Sequence, residues 1–247
     1  MSNPSAMSRY AFLIVTGTDP GPCKYNSPTD TSPSRSPAPL PQIKTFGKVI
    51  LMDQNQMFFQ MKQAALARLA DRDPNEIATY ANVLYDDISK TFQFQSLGIQ
   101  VSVHYPDYAF SPNLPGWHEL VILHYLDLAD GTPVAGNQIP FGQMKSGMVR
   151  GGGIDRKFET AIQDLHGLKE ASLATVCERL GGERIASNAD MSFRIPFMPR
   201  FPVFLKLWLP DEEFPASGRI FVDSSADHYL TIEDAVTVAE RIIDALR

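Results

Sequence analysis

The stretch Met191-Ser-Phe-Arg-Ile-Pro-Phe-Met-Pro-Arg-Phe-Pro-Val-Phe-Leu-Lys-Leu-Trp-Leu209 decides the fold class. Met191, Phe193, Ile195 and Phe197 recur at every second position, Pro199-Arg200 turns the chain, and Val203, Leu205, Leu207 and Leu209 alternate back. A period of two on both sides of a turn predicts an antiparallel hairpin with one apolar face. Downstream, Arg219-Ile-Phe-Val222 reads as a third strand. Thr231-Ile-Glu-Asp234 then opens a closing helix striped by Ile232, Ala235, Ala239, Ile242 and Leu246.

Upstream of the hairpin the spacing turns helical. Phe158, Ile162 and Leu165, then Leu173, Val176, Cys177 and Leu180, mark two helices, the second ended by Gly181-Gly182. Trp117-His-Glu-Leu-Val-Ile-Leu-His-Tyr-Leu-Asp-Leu128 carries a stripe of Trp117, Leu120, Val121, His124 and Leu128. Ile122, Leu123 and Leu126 lie on its other faces, so this helix is expected at the centre of the molecule. Before it, Phe92 and Phe94, a Leu97-Gly98 turn, and Val101, Val103 and Tyr105 predict a second hairpin. Phe58, Met61, Ala65 and Leu69 predict a first helix. Asp73-Pro-Asn-Glu76 caps a second, whose stripe Ile77, Ala81, Leu84 and Ile88 carries it to about residue 90. Helices, strands, helices, strands and helix together read as α+β: a mostly antiparallel sheet packed against several helices in a single domain over residues 49–247.

Prolines crowd residues 1–42, and Leu40 is the sole large apolar residue between Asn26 and Pro41. Such a segment buries too little surface to offset its ordering entropy, so residues 1–48 are expected to form a disordered tail. Translation starting at Met52 or Met57 is an alternative account of that tail.

The chain of 247 residues is 44% hydrophobic and 20% charged, with a net charge of −6. Lacking a basic block, it is a poor partner for nucleic acid or anionic membranes. No apolar run approaches the roughly 20 residues of a membrane span, and the expectation is a soluble cytoplasmic protein. Its two cysteines, Cys23 and Cys177, are too few for a disulfide scaffold or an all-thiolate cluster within the chain.

Several segments together resemble one family. These are Ala189–Pro202 and Leu207–Pro215, then Phe221-Val-Asp-Ser-Ser-Ala-Asp-His-Tyr-Leu230, with Leu120–Leu126 and Asp130-Gly-Thr-Pro133. The sequence is similar over roughly residues 55–247 to the bacterial and archaeal family catalogued as domain of unknown function 3786. No catalytic residue carries over from that resemblance. It implies a metabolic context, because some members are fused to a four-cysteine iron–sulfur domain like that of the corrinoid iron–sulfur protein of one-carbon metabolism. With those cysteines missing here, a cluster would sit on an iron–sulfur or corrinoid partner protein.

Candidate site residues each carry a plainer alternative. His124, on the apolar stripe beside Tyr125, would be kept neutral by burial, with a lone pair free for a metal; otherwise it is a core histidine bonded to a carbonyl. His118, six residues away, stands about 120° round the helix, so the two cannot chelate one ion from this helix alone. Asp223-Ser-Ser-Ala-Asp-His-Tyr229 follows a strand and precedes a helix, where sites are often built. It offers Asp223, His228 and Tyr229, although Ser, His and Asp this close in sequence rarely reach triad geometry. Trp208 and the aromatics Phe193, Phe197, Phe201, Phe204 and Phe214 are hairpin core or the wall of a pocket. Asp211-Glu-Glu213 reads most simply as a solvated loop, and Arg150-Gly-Gly-Gly153 with Arg156 and Lys157 as a linker, though both could bind ions.

The leading expectation is a cofactor-binding protein for a tetrapyrrole, a corrinoid or haem, with His124 or His228 as axial ligand. The alternatives are a hydrolase or transferase using Asp223 and His228 as an acid–base pair, and an assembly module without a small ligand.

Overall fold

A computed structural model describes residues 54–148, 153–164, 170–210, 212–213 and 215–247. The tail at 1–48, Cys23, Arg150, Gly151, Gly152, Leu165, Asp211 and Phe214 lie outside the described residues.

The fold is α+β, with two antiparallel sheets where the sequence pointed to one. In the first, β1 (Leu84–Asp86), β2 (Thr91–Ser96), β3 (Ile99–His104) and β4 (Ala109–Ser111) form a meander in chain order. The second runs β5-β9-β8-β7-β6 and comprises β5 (Gln138–Ile139), β6 (Glu183–Arg184), β7 (Met191–Met198), β8 (Phe201–Trp208) and β9 (Ser217–Asp223). Six helices have described bounds: α1 (Gln54–Leu69), α2 (Pro74–Ala81), α3 (Gly116–Leu128), α4 (Ile154–Gln163), α5 (Glu170–Arg179) and α6 (Ile232–Ala245). α3 packs against α1, α2 and α6, while α4 packs on β9 and α6.

The hairpin at 191–209 forms as its alternation requires, with Phe193 opposite Leu205 and Ile195 opposite Val203. Both faces of it carry buried residues, however: Ser192, Met198, Pro202 and Phe204 are enclosed as well as the expected set, of which Leu209 alone is only partly buried. The first hairpin turns on Leu97 and Gly98, both at positive φ (46° and 76°) as a two-residue turn needs. The Leu97 amide donates to the Pro196 carbonyl, which ties β2 to β7. A side chain at 98 would collide with the Arg179 carbonyl at the end of α5.

Helix α2 stops well short of residue 90. Asn82 takes the left-handed conformation (φ 54°), and its N–H bonds the Ala78 and Thr79 carbonyls to close the last turn. Leu84 and Ile88 therefore leave the stripe. Leu84 lies in β1, and Ile88 is 95% exposed in the turn that follows. In α1, Ala65 and Leu69 are buried while Met61 faces out.

The start of α2 does follow the capping pattern. Asp73 Oδ1 accepts the Asn75 amide at 2.9 Å, and Pro74 occupies the first helical position. Asp73→Ala is expected to cost about 1 kcal/mol, read as a lower midpoint in urea with an unchanged slope.

Candidate functional site

The irregular segment between α3 and the 3-10 turn at Phe141–Gln143 is fastened by side chains from distant elements. Asp223, at the end of β9 and 1% exposed, accepts from the Ala135 amide (2.9 Å), the Gly136 amide (2.7 Å), and the amide and hydroxyl of Ser225 (3.0 and 2.7 Å). Burial alone would raise its pKa; these four donors outweigh that and hold it below the usual aspartate value. Farther along, Asp155 Oδ1 and Oδ2 accept the Phe141 and Gly142 amides, and Asp227 receives the Lys145 amide. Long loops fixed this thoroughly generally serve a function.

The front of the loop meets an aromatic pair. Tyr125 of α3 stacks on Tyr229 with centroids 5.4 Å apart. Tyr125 Oη donates to the Ala81 carbonyl at 2.8 Å and accepts the Arg200 amide at 3.1 Å. Tyr229 Oη donates to the Thr132 carbonyl. Burial pushes both phenols up, so both stay protonated as donors.

Two imidazoles flank this pair, each oriented by a carboxylate. His124 Nδ1 lies 2.9 Å from Asp234 Oδ1, and Asp234 Oδ2 accepts the Thr231 hydroxyl at 2.8 Å. Both carboxylate oxygens are acceptors, so Nδ1 is the donor, and in the neutral imidazole this tautomer leaves the lone pair on Nε2. Nε2 has no partner among the described residues, and it is not sealed from solvent. His228 Nδ1 stands 2.6 Å from Asp130 Oδ2 and 3.2 Å from Thr132 Oγ1. Burial would raise the Asp130 pKa, but the bonds from His228 and Thr132 bring it down to about 2. As that carboxylate is ionised, His228 donates from Nδ1, and its Nε2 is also left over.

Of the six expected residues, Tyr125, Asp223, His228 and Tyr229 gather around one loop, while His124, next to Tyr125 on α3, meets Asp234 of α6. Their roles divide. Tyr125, Tyr229 and Asp223 are buried and hold the loop in place, while the two histidines present a ring nitrogen. Trp208 does not join them. It pairs with Ser217, six positions along β9 from Asp223, roughly 20 Å away at strand spacing. Its indole donates to the Asn188 carbonyl. Asp223 and His228 are not bonded to each other, because each is taken up by other partners. The His–Asp pairs built at this site are His228–Asp130 and His124–Asp234.

The model of the family described as Domain of unknown function (DUF3786) matches residues 73–245. The chain belongs to this family. The DUF3786 match opens at Asp73, the cap of α2, leaves α1 outside, and takes in every residue of the loop and its clamps. No curated protein and no solved structure matches the chain.

Among the described residues of this DUF3786 domain the sealed imidazole is His118, not His124. It is 2% exposed, with Nε2 2.7 Å from Ser96 Oγ, and its ring stacks on Trp117 at 4.7 Å. Burial lowers its pKa to about 4, the effect expected at His124. His124 is itself turned toward the first turn of α6, where Asp234 meets it. Arg200 and Asp130 also belong to the site and escaped the reading of the sequence. The Pro199-Arg200 turn was visible, and Asp130-Gly-Thr-Pro133 was visible as a turn, but nothing linear joins them. Among the described residues no group of three or more His, Cys, Asp or Glu is placed to hold a metal ion, and no helix is long and apolar enough to cross a membrane.

Proposed function

We propose that this chain binds a metal-bearing tetrapyrrole, a corrinoid or haem, through His124 Nε2, and that it acts in the cytoplasm with an iron–sulfur or corrinoid partner protein. The observation that carries the reading is the His124–Asp234 pair, in which a carboxylate holds Nδ1–H and leaves Nε2 to a ligand. Histidines that ligate metals characteristically donate their other N–H to such a carboxylate, which fixes the tautomer and raises the basicity of the ligating nitrogen. One oriented imidazole is the share a protein contributes when a macrocycle supplies the other ligands. A bare ion would ask for three or four side chains. The residues present fit that donor requirement. Asp234 is itself fixed by the Thr231 hydroxyl at the start of α6, so the imidazole is aimed before any ligand arrives. When bound, the group would supply redox or group-transfer chemistry at its metal; the chain supplies the axial nitrogen and its orientation.

The test is absorption spectroscopy of the purified chain titrated with hydroxocobalamin and with haemin. The expected result is a saturable shift of the visible bands that His124→Ala abolishes. Asp234→Asn should weaken binding roughly tenfold to a hundredfold, since the orienting acceptor is lost while the ligand remains. Loss of the shift in His228→Ala alone would move the ligand to His228. An unshifted spectrum with both compounds would end the proposal.

A further inference from the structure

Among the described residues, Arg200 of the loop cluster carries a charge that no ion pair neutralises. It sits in the turn between β7 and β8, partly buried, and its backbone amide is fixed by Tyr125 Oη at 3.1 Å. Its Nη1 donates to the Gly131 carbonyl, and its guanidinium lies near the Tyr229 hydroxyl, where it counters the upward push of burial on that phenol. Both groups are neutral. Among the described residues, ion pairs join Arg68, Arg184, Arg219, Arg241 and Arg247 to carboxylates, and none involves Arg200. Asp130, the acid on the same loop, is occupied by His228 and Thr132.

A guanidinium carries five N–H donors in a rigid fork, and its charge is costly to remove from water without an anion. Here the fork is held on one side by a carbonyl and lies beside a phenol, neither of which neutralises its charge. A pre-oriented, unneutralised fork is the arrangement that receives a carboxylate, as two parallel N–H···O bonds.

We infer that the ligand of this site carries a free carboxylate, and that Arg200 receives it. This rests on the tetrapyrrole reading above and sharpens it. A porphyrin keeps acidic side chains at its rim, whereas cobalamin has its peripheral acids converted to amides. An Arg200 that reads a carboxylate would favour the acidic macrocycle over the amidated one.

The experiment compares haemin with haemin dimethyl ester, in which methylation of the two rim acids removes their charge. Binding to the full chain is followed by Soret absorbance for wild type, Arg200→Gln, Arg200→Lys and His124→Ala. Wild type is expected to bind the free acid roughly tenfold to a hundredfold more tightly than the ester, the range of a charge-assisted contact. Arg200→Gln should bring the acid down to the level of the ester without moving the Soret maximum, and Arg200→Lys should keep part of the preference. Equal affinity of wild type for acid and ester, with a shift that still depends on His124, overturns the carboxylate inference and leaves the ligation reading standing. A preference that survives in Arg200→Gln removes Arg200 from it. No Soret change with either compound removes both. The wild-type comparison needs no substitution, so an unstable variant does not decide the matter.

Discussion

Asp223→Ala is expected to lower the stability of the folded domain by about 4 kcal/mol, the largest loss from any single polar residue of the site. The side chain is almost fully buried and satisfies four donors, the amides of Ala135, Gly136 and Ser225 and the Ser225 hydroxyl. Removing it strands those donors in a site closed to water, which costs more than the bonds contributed on balance. Asp223→Asn should recover only part of the loss, because its amide group turns N–H toward N–H on one side. The effect depends on pH as well. The folded carboxyl lies below its ordinary value, so its contribution is complete above the usual carboxylate range and is lost as pH falls through the depressed value. Urea unfolding measures the loss. Hydrogen exchange locates it, with the Ala135 and Gly136 amides expected to lose protection first. A loss below about 1 kcal/mol would mean that water replaces the carboxylate and that the loop does not depend on it.

Much of the framework was legible because local signals and burial agree. The 191–209 hairpin alternates in its core-facing residues, the Leu97-Gly98 turn supplies two positive φ values, and Thr231 caps α6 through the Asp234 amide. Where they disagree, the sequence misleads. Ile77, Ala81, Leu84 and Ile88 keep helical spacing, yet Asn82 reverses the backbone and the last two become strand and turn. The very short strands β1, β4, β5 and β6 carry no alternation long enough to notice. They form because a neighbour offers a free edge, as β9 does for Gln138 and Ile139.

The site was legible by segment and not by pairing. The runs 124–125 and 223–229 each carry site residues, but the partner of His228 lies 98 positions upstream and that of His124 lies 110 downstream. Only the fold brings the β7–β8 turn and the 223–229 segment to one loop, and the start of α6 to α3. The choice between His118 and His124 was hidden for a different reason. A helix apolar nearly all round has no polar face to reveal which side meets the core, so spacing cannot rank its histidines.

That buried histidine should make the domain sensitive to acid. His118 is enclosed by Trp117 on its own helix and by Phe197 on β7, with ring centroids at 4.7 and 5.6 Å, and its Nε2 meets Ser96 at the end of β2. Burial lowers its pKa from 6.5 to about 4, partly offset by the nearby Glu119 carboxylate, which is itself tied to Lys62 of α1. Between those two values the unfolded chain binds a proton that the folded chain refuses, so falling pH favours unfolding. Stability from this group is complete above about pH 6.5 and drains away down to about pH 4, a total of about 3 kcal/mol at 1.36 kcal/mol per unit. His118→Gln keeps a hydrogen-bonding group for Ser96 but cannot titrate. Its stability at pH 7 should be lower than that of wild type, while its loss between pH 7 and 4 should be smaller by about 3 kcal/mol. Urea midpoints taken at half-unit steps through that range measure both, and parallel pH curves for the two proteins would show that His118 takes its proton without opening the core.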